Sequence, residues 1–284
     1  MQKKIAHILD GREKKITATE TVLQPLPHKD FRFANPFIVL HHIRPNLIKA
    51  GIESRIHPHP HRGFAPVTFQ LQGEGYHKDN AGHEGIIQAG DIQWMFSGKG
   101  LLHSEGPSRK QLENGGIYEL IQIWVNVPAK NKFDKPFYQT APKSSQPKIL
   151  EQEGVDLRLI SGTYDTQMGP LKSFTPVLSV TGTITKGKRV QLSAIPGYWT
   201  LLYVINGKLN INCENIQQHQ LIIFEKENDE IILSAEESSQ ILYLSAEPIE
   251  EPVAAKDNFV MNTAEEIKQA IADARNGSFG SLDF

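Results

Sequence analysis

Val67 to His77 reads VTFQLQGEGYH, and Leu201 to Asn212 reads LLYVINGKLNIN. Each is a run rich in β-branched and aromatic residues, then a glycine, then a second short run, the pattern of two strands joined by a tight turn. A further strand-like segment follows each, at Asp91–Phe96 and Gln220–Phe224. Agreement in order across both halves predicts a tandem of two similar barrels, and runs such as YELIQIWVNV and QILYLSA, set between Gly, Pro and Asn, extend the antiparallel pattern. One segment breaks it. AEEIKQAIADARNG places Ile267, Ile271 and Ala274 at helical spacing, with Thr263 as cap, Glu266 completing a capping box and Gly277 as stop. The expected fold is therefore all-β: two tandem antiparallel β-barrels with a C-terminal α-helix. The stretch from Pro128 to Pro147 is rich in Pro, Lys and Ser and lacks apolar periodicity. It reads as the connection, giving an N-terminal barrel over residues 1–132, a linker over 133–147, and a second barrel over 148–284 that ends in the helix.

At 284 residues the chain suffices for two domains, each with its own core. Lys and Arg number 30 against 32 Asp and Glu, a formal charge of -2, so no long-range field draws it to nucleic acid or an anionic membrane. The single cysteine, Cys213, cannot form an intramolecular disulfide, which suits a reducing compartment, and it reads as a buried small hydrophobe. The opening MQKKIAHILDGREKK has scattered charges and no apolar run of signal-peptide type, and no later stretch reaches membrane-spanning length. A cytoplasmic location is expected, or a nuclear one in a eukaryotic source, with a monomer favoured.

Ten of the eleven histidines lie at or before position 103, and only His219 lies in the second half. Any histidine site therefore belongs to the first barrel, and the second is expected to hold no metal. HPHPHRG sets His57, His59 and His61 at alternate positions, which share a face in an extended chain. Pro58 and Pro60 disfavour helix and lack amide donors, as suits a barrel edge. His103-Ser104-Glu105 is a second i, i+2 pair, reached through the flexible Gly98 and Gly100. Two such pairs on neighbouring strands supply three imidazoles and a carboxylate with open positions left over, a catalytic type of metal site. The spacing alone does not choose between His57 with His59 and His59 with His61.

Other candidates carry simpler readings. His77 and His83 flank KDNAG and read as solvent-exposed turn neighbours. His41 and His42 point to opposite faces, so at most one faces a pocket. Arg62 points away from the metal and suits a structural salt bridge. Trp94, Phe96 and Trp124 read as core aromatics, and Gln122 as a pocket hydrogen-bonding group.

HPHRGFAPVTFQLQGEGYHKDNAGHEGIIQAGDIQWMFSGKGLLHSE resembles the signature block of the pirin family of bicupins, and QIWVNVP and the tail from Glu251 resemble further pirin segments. The resemblance implies two cupin-type barrels and metal ligands at His59, His61, His103 and Glu105, leaving His57 as an extra histidine. The family's usual GFE is Gly63-Phe64-Ala65 here, so Ala65 removes one cupin route to a carboxylate ligand and leaves Glu105. The resemblance further implies one divalent metal, Fe(II) first, with Mn, Cu, Ni or Zn equally compatible with such donors. It implies a quercetin (flavonol) 2,3-dioxygenase type of oxidoreductase taking a small aromatic enol and O2, with Glu105 as base for the 3-hydroxyl proton. The alternative it carries is a non-enzymatic, iron-binding transcriptional coregulator acting through protein partners.

Overall fold

The computed structural model describes residues 1–17 and 20–283, and strands dominate it. The chain divides into two compact units. One comprises residues 1–13, 23–36 and 144–248; the other comprises 14–22, 37–143 and 249–284. Among the described residues no helix is long and apolar enough to cross a membrane.

This division departs from the expected boundaries of 1–132, 133–147 and 148–284, because pairing partners lie far apart in the chain. The N-terminal strand Ile5–Asp10 pairs with Gln220–Phe224, Ile8 opposite Ile222, and so belongs to the second barrel. The tail from Ile249 onward, helix included, belongs to the histidine-bearing unit. Phe137–Ala141, inside the expected linker, is a strand pairing with Ile92–Phe96, and the Phe137 and Phe96 rings sit 5.1 Å apart. Proline and lysine on either side masked five residues of strand.

The two segments that suggested a tandem do fold alike. Phe64–Gln72 and Glu74–Asp79 flank Gly73, while Trp199–Asn206 and Lys208–Ile211 flank Gly207. Both glycines turn at positive φ, +78° and +81°, and a Cβ at either would collide with backbone carbonyl oxygen. The unit lacking the histidine block joins a six-stranded and a four-stranded antiparallel sheet. It has a large apolar core cluster, with Leu157, Leu202, Ile222, Phe224 and Leu233 fully buried. Cys213, expected inside, is exposed: it forms with Asn212 a two-residue turn at positive φ between Lys208–Ile211 and Glu214–Gln217.

In the histidine-bearing unit, Phe64–Gln72 lies between Ile92–Phe96 and Gly116–Asn126, buried along nearly its whole length. A second sheet runs in the order Ile56–His61, Leu101–Pro107, Glu74–Asp79, Glu84–Gln88. The proline-bearing strand is thus at an edge, where its missing amide donors leave no gap in the ladder. The helix Ala264–Arg275 has the full capping box of Thr263 and Glu266. It packs Ile267 and Ala270 against Phe259, Met261 and Phe279, with Leu102 beside them, so it covers this unit and not the second barrel.

Candidate metal centre

His59 and His61 alternate along the edge strand and share a face; the neighbouring strand places His103 directly opposite His59 and Leu101 opposite His61. Antiparallel partners lie close, and the three rings converge, with centroids 4.3, 4.8 and 4.9 Å apart. One nitrogen from each lies within 4.8 Å of the others. His57 is left outside, exposed, and among the described residues this is the one such group of three.

Each ring is oriented through Nδ1. His61 Nδ1 donates to the carbonyl of Asn258 at 3.1 Å, and His59 Nδ1 donates to the carbonyl of His57 at 2.9 Å. A carbonyl can only accept, so both rings carry the proton on Nδ1 and a lone pair on Nε2. His103 is set by a longer chain. The Gln93 amide nitrogen donates to His77 Nδ1 at 3.1 Å, which makes that atom an acceptor and leaves His77 Nε2 to donate to Asp79 at 3.1 Å. His103 Nδ1, 3.4 Å from His77 Nδ1, shares that one lone pair with Gln93 as the weaker donor, and its own lone pair too sits on Nε2.

Burial, reinforced by the neighbouring histidines, holds His61 and His103 well below the ordinary imidazole range, so both are neutral. Their Nε2 atoms are buried with no hydrogen-bond partner. Two buried, unsatisfied lone pairs facing each other cost free energy unless something electron-poor sits between them. Neutral imidazoles with Nδ1 tied back and Nε2 free form a donor set that fits a divalent transition metal.

Glu105 is not brought into this cluster. The register slips between His103 and Glu105, so Glu105 lies opposite Ile56, and both its carboxylate oxygens accept from Gln122 Nε2, at 2.9 and 3.0 Å. It lines a cleft of about 50 Å³ together with His41, Gln122 and Tyr118. Trp124 links cleft and cluster: its indole donates to Gln122 Oε1 at 3.2 Å, and its ring meets His61 at 5.6 Å and His41 at 6.1 Å. Burial pushes His41 down to about 3, so it faces the cleft neutral. Its neighbour His42 points the other way, to Glu119 at 3.0 Å.

His77 is fully buried, not the exposed turn neighbour its sequence context suggested, because His77 and Asp79 alternate inward on a strand. Burial alone would push the Asp79 carboxyl up; hydrogen bonds from His77 and His83 outweigh it and hold the group below its usual range. The i, i+2 spacing of His77 and Asp79 was the available signal, the same spacing that marks His59 and His61. Arg62 does form a structural tie, to Asp273 at 2.7 Å and to the carbonyl of Lys99 at 2.7 Å. The Asn258 carbonyl that orients His61 had no local signal at all, since it is backbone 197 residues away.

Comparison with known proteins gives one consistent answer. A family model named Pirin matches residues 16–125, and a second, the pirin C-terminal cupin domain, matches 179–280. The chain is 34% identical to Pirin-1 of Arabidopsis thaliana, covering 88% of this chain and 85% of that one. It is 30% identical to human pirin, covering 98% and 94%. The crystal structure of a quercetin 2,3-dioxygenase from Acinetobacter baumannii superposes over the full length of both chains, with a TM-score of 0.94 and 33% identity.

Proposed function

Because this chain belongs to the pirin family of two-barrel cupins, we propose that it is a metal-dependent dioxygenase of the quercetin 2,3-dioxygenase type. His59, His61 and His103 would hold one divalent ion, Fe(II) first, with Glu105 as the carboxylate beside it. The observation that carries the reading is the pair of buried, unpartnered Nε2 atoms of His61 and His103, joined through Trp124 to the cleft that Glu105 and Gln122 line. The Acinetobacter neighbour, named a quercetin 2,3-dioxygenase, supports the same chemistry.

An ion held by His59, His61 and His103 would supply Lewis-acid polarisation of enolate oxygens at neutral pH. The chain's own groups do the rest. Ile43, Ile48, Ile56 and Leu120 give the cleft apolar walls for a flat ring. Glu105, steadied by the Gln122 amide, takes the proton of the flavonol 3-hydroxyl onto its carboxylate and leaves the substrate as the electron-rich enolate that reacts with O2. Dioxygen is the oxidant: its two atoms bond to C2 and C4 of the flavonol as the C2–C3 and C3–C4 bonds break, and C3 leaves with its own oxygen as carbon monoxide. By a comparable measure a cavity of about 150 Å³ holds benzene. A cleft of about 50 Å³ takes the reacting edge of a ring. The rest of a flavonol then lies over the outer recess beside it, about 420 Å³, which shares Glu20, Ile43 and Asn46 with the cleft.

The test is oxygen uptake by iron-loaded protein with quercetin, beside Glu105→Gln. Loss of about 100-fold or more in turnover with metal retained supports the reading. Full metal retention with no uptake on any flavonol or catechol overturns it in favour of the non-enzymatic regulator.

A further inference from the structure

The cleft carries polar groups that the fold itself does not use. Ser54 Oγ is buried with no hydrogen-bond partner and lines the cleft. Glu20 lines it too, half-buried, and among the described residues its carboxylate has neither a hydrogen-bond nor an ion-pair partner. Glu105 stands in the same cleft, its oxygens sharing a single amide nitrogen. Tyr118 lines the same cleft, and burial first, then the charges of Glu105 and Glu20, push its phenol upward. No Lys or Arg lines the cleft among the described residues. Arg44 lines the outer recess, and Arg55, adjacent to Ser54, is held by Glu53 at 2.7 Å.

We propose that Glu20 and Ser54 are substrate-recognition residues that make this cleft select neutral hydroxylated aromatics over aromatic acids. The proposal rests on the reading of the cleft as the approach to the metal centre. A phenolic hydroxyl donates to the Glu20 carboxylate, and Ser54 supplies a second donor or acceptor along the ring edge; each removes the cost of a polar group left without a partner. An aromatic carboxylate placed against Glu20 and Glu105 meets two like charges and no lining Lys or Arg, and like-charge juxtaposition in a partly desolvated site costs far more than a missing contact. The preference thus comes as much from rejection as from attraction.

Catechol and protocatechuate present the same two hydroxyls and differ by one carboxylate, so they isolate this effect. Calorimetric titration of the metal-loaded protein is expected to show catechol bound about tenfold or more tighter than protocatechuate. Glu20→Gln, which keeps shape and hydrogen bonding, is expected to narrow that gap to about threefold or less, while Ser54→Ala weakens both ligands and leaves the gap intact. A gap unchanged in Glu20→Gln, a wild type that prefers protocatechuate, or binding of neither ligand overturns the proposal. Quercetin titrated in parallel keeps the two readings apart. Its failure to bind removes the flavonol assignment while the catechol pair still decides the role of Glu20.

Discussion

His77 donates to Asp79 from Nε2, and its opposite nitrogen faces His103 Nδ1 at 3.4 Å. Both rings are buried, so the orientation of one histidine of the candidate metal centre is inherited from a carboxylate two side chains away. Partners of this kind set the tautomer and basicity of a ligand without touching the ion. Replacing His77 by Phe, or Asp79 by Asn, is expected to lower metal affinity by about 10- to 100-fold. Titration of metal-free protein, with circular dichroism to show a retained barrel, measures this; unchanged affinity in both variants would remove the assigned role.

Asp79 also makes acid stability predictable. Its folded carboxyl lies below the ordinary range, whereas in the unfolded chain it titrates near about 3.9. The unfolded state therefore binds the proton first as pH falls. The contribution of Asp79 is complete above about pH 4 and is lost as pH drops from there through the folded value. Urea unfolding of the metal-free protein is expected to show a steeper decline below about pH 4 in wild type than in Asp79→Asn. Parallel declines in the two proteins would contradict this.

The sequence told most about what alternates locally. Alternate histidines and a proline-stiffened edge strand are short-range patterns, and so are the glycine turn shared by Gly73 and Gly207 and the capping box at Thr263. Strand geometry converts each directly into a position. What stayed hidden depends on partners distant in the chain. Ile5 pairs with Phe224, and nothing within MQKKIAHILD shows that it will join the second barrel. Tyr138 stacks on His77 at 4.9 Å from within a stretch whose prolines and lysines looked like linker. Glu105 illustrates a subtler limit: perfect i, i+2 alternation puts it on the face of His103, but the slip in register turns its carboxylate to Gln122. Bulges of this sort depend on the neighbouring strand and leave little trace in the strand that carries them.

If the three imidazoles hold the ion, protein purified from iron-supplemented cells is expected to carry close to one metal per chain. The His59→Ala, His61→Ala double variant is expected to carry almost none. Since an ion bound only to the folded state stabilises by mass action, a chelator should lower the melting temperature of wild type and leave that of the double variant unchanged. Elemental analysis beside thermal melts measures both effects. Equal metal content in the two proteins would place the ion elsewhere.

Lys132 links stability to the metal centre through the tail. Burial pushes its ammonium down to about 7, yet its three donors all end on oxygens: the Gly63 carbonyl at 2.8 Å, Asn126 Oδ1 at 2.5 Å and the Val260 carbonyl at 3.0 Å. Three acceptors with no competing donor favour the charged form. Gly63 follows His61-Arg62, and Val260 lies two residues beyond Asn258, whose carbonyl orients His61. The approach is close enough that a Cβ on Gly63 would strike the Val260 carbonyl oxygen. Lys132→Met keeps the bulk but withdraws the ammonium from three acceptors in a buried site, an expected loss of about 2–4 kcal/mol. Because the same change loosens Phe259–Met261, the strand that follows the turn bearing Asn258, metal affinity should fall with stability. Lys132→Arg, with its planar fork, is not expected to restore either, as the acceptors are arranged for a compact ammonium. Denaturant unfolding and metal titration on the same samples test the link. A variant that loses the stability yet binds metal as tightly as wild type would show that the tail does not orient His61.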